Sequence, residues 1–391
     1  MKETDHTRVG LVLTLWAAGL GAAAQFAKVS VIFPSIRELY PEAGTELGFL
    51  VSILSLMGIL LGTSAGMIVA RMGFRRLLLS ALLLGAVISA YQATLPPFAF
   101  MLASRVVEGL SHLVIVVAAP TLIAQVSAER HRPITLTLWG TFFGVAFALV
   151  AWFGIPMVSV HGLHTIFIAH AVALAAIALL LHFMLPGSAE TKTSASMPDF
   201  REILRQHAET YRSPSMAAPS LGWLFYTLTF VSLLTLLPDT VAEESRAFVT
   251  GAMPLASIIS SMTLGIVLLR SFTAIHVVMT GFVLAIGITL CLSLFPGNPS
   301  LCIGLFCALG LVQGASFAAV PQLNSGPHTQ ALANGAMAQM GNLGNTCGTP
   351  LMLAILVSFG FSGMIVLIVS CYLLGILTHL LLQRRRASMH V

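Results

Sequence analysis

Long apolar stretches recur along this chain, broken only at short intervals. A helix needs about 20 apolar residues to cross a hydrocarbon core. Apolar runs between turn or charge clusters mark twelve such stretches, near 9–35, 46–70, 76–94, 97–126, 134–158 and 163–185, then 216–239, 247–269, 273–295, 299–322, 330–358 and 362–384. Breakers separate them at Pro41, Pro96-Pro97, Pro186-Gly187, Pro296-Gly297 and Pro327. Only 8% of residues are charged, against roughly 25% in a soluble domain. Too few charges exist to cover a water-soluble globule of 391 residues. Disorder is excluded by the opposite test, since disordered chains are poor in apolar residues. An all-α polytopic membrane protein of twelve helices is the expectation.

One long polar stretch, 187–214, divides the spans six and six. Its second part, FREILRQHAETY, sets Phe200, Ile203 and Leu204 on one face, which suits a short amphipathic helix at the membrane surface. The expected organisation is a six-helix bundle over 1–186, a linker over 187–214 and a second bundle over 215–391. Lys and Arg set orientation. Fifteen of the 19 basic residues fall on the side of both termini; Arg37 and Arg246 fall opposite, and Lys28 and Arg105 lie within spans. Both termini are therefore expected in the cytoplasm, with the chain a multi-pass monomer of the inner membrane. Residues 1–24 mimic a signal peptide, with Ala22-Ala23-Ala24 as a cleavage site. Apolar character continues through Phe26–Phe33, and cleavage would leave eleven spans, so retention is expected.

The loop after span 2 reads Gly66-Met-Ile-Val-Ala-Arg71-Met-Gly73-Phe-Arg75-Arg76. Span 4 carries Arg105-Val-Val-Glu108-Gly109, span 5 Gly140-x-x-x-Gly144, and span 11 Gly344-x-x-x-Gly348-x-Pro350. Together with the six-plus-six layout, these motifs resemble the major facilitator superfamily. The loop is similar to the family's G-x-x-x-D-R-x-G-R-R motif, with Ala70 in place of the acid. The resemblance implies conformational gating by Gly66, Arg71, Gly73, Arg75 and Arg76, and puts in doubt the ion-pair latch that the missing acid would join. It also implies two bundles, transport by alternating access, and a central cavity faced by spans 1, 4, 7 and 10. Val145 follows the span 5 glycines where exporters of the family often carry Gly-Pro, which mildly disfavours drug efflux.

Ionisable groups within spans are costly and are functional candidates for that reason. Arg105, Glu108 and His112 recur at helical spacing along one face of span 4. Arg105 would attract an anion or hold Glu108 ionised; Glu108 would take and release a proton, and His112 could relay it. The structural alternative is an Arg105–Glu108 ion pair that orients helices. Lys28 on span 1 sits at a depth similar to Arg105 and either faces the cavity or snorkels outward. Lys28, Arg105 and Glu108 sum to +1 when ionised, which favours a carboxylate-like solute.

The second bundle offers neutral polar groups: Trp223, Tyr226, Thr227 and Thr229 on span 7, Gln313 and Ser316 on span 10, Gln339, Asn342 and Asn345 on span 11. Tyr226, Gln313, Gln339 and Asn342 are the substrate-binding candidates there, inter-helix hydrogen bonding being the alternative. Gly58-x-x-x-Gly62-x-x-x-Gly66 and Gly310-x-x-x-Gly314 read as close-packing stripes.

The five cysteines form no CxxC pair and read as small packing residues, and the remaining histidines are scattered without ligand spacing. No metal, cofactor or nucleic acid is expected. Without a Walker A or hydrolase motif, neither ATP-driven transport nor an enzyme is indicated. The expected function is secondary transport of a small organic anion coupled to protons. The alternative is proton-driven efflux of a drug or metabolite.

Overall fold

A lipid-immersed segment must satisfy every backbone polar group within itself, and the helix is the way a single apolar segment does so. The computed structural model describes residues 6–61, 72–185 and 200–388, and the described residues are helical with no strand. Eleven helical elements are long and apolar enough to cross a membrane: Val9–Ser30, Pro41–Leu61, Phe74–Gln92, Phe98–Val126, Glu129–His161, His164–Met184, Pro214–Thr240, Glu243–Leu269, Ala274–Leu294, Pro299–Leu323 and His328–Ala387. The first ten are numbered here as spans 1 to 10, and the last supplies spans 11 and 12. That element holds 60 residues, roughly 90 Å of helix and about three times a hydrocarbon core. It breaks at Gly360, where φ is 65° and ψ −165°. An L side chain rarely adopts that φ, so glycine makes the reversal there. Spans 11 and 12 lie on either side, which gives twelve crossings.

The chain packs as two units. The first comprises Met1–Ala43 with Ile53–Met197; the second comprises Gly44–Ser52 with Pro198–Val391. The first turns of span 2 thus belong with the second unit. Gly48 explains how: a Cβ there would come within 2.6 Å of the Pro350 Cα on span 11. Only a residue without a side chain admits so close an approach.

The first unit's core joins Leu11, Leu15, Ala18 and Ala22 of span 1 to Leu82, Ile115, Ala118 and Leu174. One end of this unit is tied by polar contacts. The Arg8 guanidinium donates to the Met184 carbonyl at 3.1 Å, and Thr7 meets His131 at 2.9 Å. Arg75 donates to the carbonyls of Leu185 at 3.1 Å and His182 at 3.0 Å, holding the end of span 6. Gly73 beside it has φ 92°, again a glycine conformation. Arg76 is exposed. Gly62, Gly66, Ala70 and Arg71 lie outside the described residues.

In the second unit, Gly310 and Gly314 of span 10 lie against Ser257 and Ser261 of span 8, and Gly344 and Gly348 of span 11 lie against the span 7 backbone. These glycines serve close helix packing, as their spacing suggests. The linker segment FREILRQHAETYR forms a helix over Phe200–Arg212. Tyr211 near its end donates to the Gln339 side-chain oxygen at 2.9 Å. At the other end of the unit's last helix, Arg386 donates to the Pro214 carbonyl at 3.0 Å.

Several spans depart from regular helix. Span 2 contains a 3-10 turn at Ile53–Ser55, span 5 a π turn at Val150–Gly154 and span 8 a π turn at Ser261–Gly265. Span 11 carries Pro350 within its length.

Candidate functional site

Lys28 lies in the last turn of span 1, and its side chain is buried rather than turned out to a headgroup. Lys28, Arg105 and Glu108 are all 0% exposed. Glu108 sits between the two cations. Lys28 Nζ lies 2.6 Å from Glu108 Oε1, and Arg105 donates to Glu108 Oε2 from one turn earlier on span 4. Helical spacing positions the second pair, since residues three apart share a face. The first pair is made across two helices separated by 80 positions in sequence.

Neutral groups complete the shell. Gln92 of span 3 donates to Glu108 Oε2 at 3.0 Å and also reaches Ser104 at 3.0 Å. Lys28 Nζ donates to Ser89 Oγ at 2.9 Å and lies 3.3 Å from His170 Nδ1. His170 Nε2 is 2.9 Å from the Gly21 carbonyl. A carbonyl only accepts, so Nε2 carries the proton and Nδ1 presents its lone pair to the ammonium. The Ser89 hydroxyl donates to the Phe167 carbonyl at 2.9 Å, and the ammonium also stands 5.4 Å from the centre of the Phe167 ring.

All three Lys28 protons therefore have partners, and both Glu108 oxygens accept. A buried ion pair holds only when its geometry and remaining hydrogen bonds offset desolvation. This network supplies both, but its formal charge is +1. Glu108 is the single buried acid among the described residues. Gln25 and Gln92 each leave a buried side-chain oxygen without a partner.

His112 lies one turn further along span 4. Its Nδ1 donates to the Ala22 carbonyl at 3.0 Å, and its ring meets Phe26 edge-on at 5.1 Å. No direct bond joins it to the Glu108 carboxylate.

The second unit organises its polar groups differently. Trp223, Tyr226 and Phe230 stack along span 7, with centroids 4.5 Å and 5.0 Å apart. Phe317 and Phe306 of span 10 adjoin the column at 5.1 Å each. Gln313 accepts from Ser257 of span 8 at 3.3 Å. Gln339 is held by Tyr211, and Asn342 donates to the Ala338 carbonyl of its own helix at 2.8 Å. Thr227 and Thr229 likewise return to carbonyls of span 7.

Of the sequence candidates, then, the fold joins Lys28, Arg105 and Glu108 directly and sets His112 nearby, while Tyr226 stands in the aromatic column and Gln313 bonds Ser257. Gln339 and Asn342 have separate partners. Ser89, Gln92 and His170 were not singled out by sequence reasoning. Their signal was weak but present: each is a polar residue in an apolar span, near the same end as Lys28.

The sequence model of the Major Facilitator Superfamily matches residues 11–326. No curated protein matches the chain. Among solved structures, the chain is similar to that of a bacterial homologue of the human lysosomal transporter Spinster, in an inward-facing and unoccupied conformation. The TM-score is 0.75 at 13% sequence identity, covering 97% of this chain and 98% of that one. At that identity the likeness is one of fold.

Proposed function

The chain belongs to the major facilitator superfamily, a multi-pass membrane transporter and not an enzyme, and from that premise we propose that it carries a small organic anion, coupled to protons through Glu108. The observation that carries this reading is the buried network of two cations and one carboxylate. In a medium of low dielectric, a net positive charge is costly and attracts an anion strongly. Protonating Glu108 would remove the carboxylate charge that Lys28 and Arg105 share. An anion arriving there would restore it. Proton uptake and anion binding would then favour each other, which is the linkage a symporter needs. Gln25 and Gln92, with their unpartnered oxygens, would offer hydrogen bonds to a protonated or hydroxyl-bearing solute.

In this reading Lys28 and Arg105 are substrate-binding, Glu108 carries the proton, and His112 relays it. Tyr226, Gln313, Gln339 and Asn342 contribute from the second bundle, and Gly66, Arg71, Gly73, Arg75 and Arg76 gate the conformational change. Both termini lie in the cytoplasm, the basic residues being gathered on that side. The protein works as a monomer in the inner membrane by alternating access.

The test is uptake of labelled small carboxylates into proteoliposomes, with and without an inward pH gradient. Stimulation by the gradient, lost in Glu108→Gln, is the expected result. Uptake indifferent to the gradient in the wild type would remove the proton role. The aromatic column of Trp223, Tyr226 and Phe230 favours one second reading, export of an apolar drug or metabolite. Drug susceptibility of cells with and without the protein separates the two.

A further inference from the structure

A groove of about 450 Å³ runs along the first unit between spans 5 and 6, with span 1 as its floor. Ala17, Leu20 and Ala24 of the floor are half-buried, and small residues on span 6, Ala169 and Ala173, leave one wall low. The other wall contains the π turn at Val150–Gly154, and Gly154 brings it close to span 6; a Cβ there would meet Ile166 at 3.0 Å. Such turns recur at functional sites. The rim is apolar and open: Phe153 is 69% exposed and Val172 62%.

Length and position identify what fits. The floor runs from Ala17 to Lys28, roughly 16 Å of helix rise. Half a hydrocarbon core is about 15 Å. Span 6 enters the groove at Ile166, two residues after its first, and leaves it at Ile177, near its middle. The groove therefore extends from one end of the bundle to its midplane, the length of a single leaflet. At its head lie Lys28 and His170, whose polar atoms bond to Glu108 and Gly21.

We propose that this groove binds one acyl chain of a bilayer phospholipid, taken from the leaflet at the end of the unit remote from residue 8. The chain walls the buried charge network off from the membrane side. Its tail lies against Ala17 and Ile177, and its headgroup sits beyond Ile166. Excluding water there keeps the local dielectric low, on which the ion pairs depend.

Native mass spectrometry of the full chain, released from nanodiscs of palmitoyl-oleoyl phosphatidylglycerol, tests the site. The wild type is expected to retain one phospholipid. Ala169→Phe and Ala173→Phe each fill the groove at an exposed position and should lower that occupancy about tenfold, the loss of roughly two methylene contacts. Ala175→Phe, exposed on the same span outside the groove, should leave it unchanged. Thermal melts identify any variant that misfolds, and either groove variant suffices. Equal occupancy in all three variants would overturn the proposal. So would a dimer that Ala173→Phe dissolves, which would assign the groove to a second copy of the chain.

Discussion

At the scale of single residues, the balance of charge around Glu108 ranks the effects of substitution. Glu108→Gln removes the carboxylate shared by two buried cations. Breaking a buried pair in this way costs about 3–5 kcal/mol. Lys28→Met leaves the Arg105–Glu108 pair, which is formally neutral, and should cost clearly less. Thermal denaturation in detergent checks the order; a Lys28→Met protein less stable than Glu108→Gln would contradict the charge argument. Serine and histidine neighbours matter because an ammonium needs three acceptors. Replacing His170 with Phe takes one acceptor from Lys28 and should lower stability by about 1–3 kcal/mol.

Among the elements, the linker helix Phe200–Arg212 and the break at Gly360 lend themselves to direct tests. Burial pushes the Tyr211 phenol up to about 12. Its ordinary value is about 10. A raised acid favours the protonated form in the folded state, so its contribution is complete below pH 10 and fades as pH rises toward 12. The bond to Gln339 should thus hold throughout the neutral range. Hydrogen exchange of residues 200–212 is expected to be slow and flat from pH 6 to 9 after correction for intrinsic rates, and faster in Tyr211→Phe. Gly360→Ala forces an L side chain into a left-handed φ of 65°, at a cost of about 1–2 kcal/mol. A melting temperature unchanged by that substitution would show that the break lies elsewhere.

Taken whole, the molecule is two helical units joined by a polar linker, and its orientation is the property most open to measurement. The proposed topology, with both termini in the cytoplasm, requires that a cysteine placed at Ser388 resist a membrane-impermeant maleimide applied outside intact cells. One at His161, in the loop between spans 5 and 6, should react. The reverse pattern would overturn the topology. The native cysteines at 291 and 347 are exposed in the protein and would be replaced first.

The twelve crossings, the linker helix and the Gly310–Gly314 packing stripe were legible in the sequence, because each is a local property: apolar length, periodicity, spacing. The Arg105–Glu108 pair was legible for the same reason, being three residues apart on one helix. What Lys28 does was not. Whether it snorkels or turns inward depends on Glu108, Ser89 and His170, which lie 80, 61 and 142 positions away. Sequence spacing carries no information about contacts between helices whose rotation about their axes is set by packing. The same holds for the start of span 2, which packs with the second unit because Gly48 meets Pro350. One chain of apolar segments fixes that helices cross the membrane, while only their tertiary packing decides which buried charges find each other.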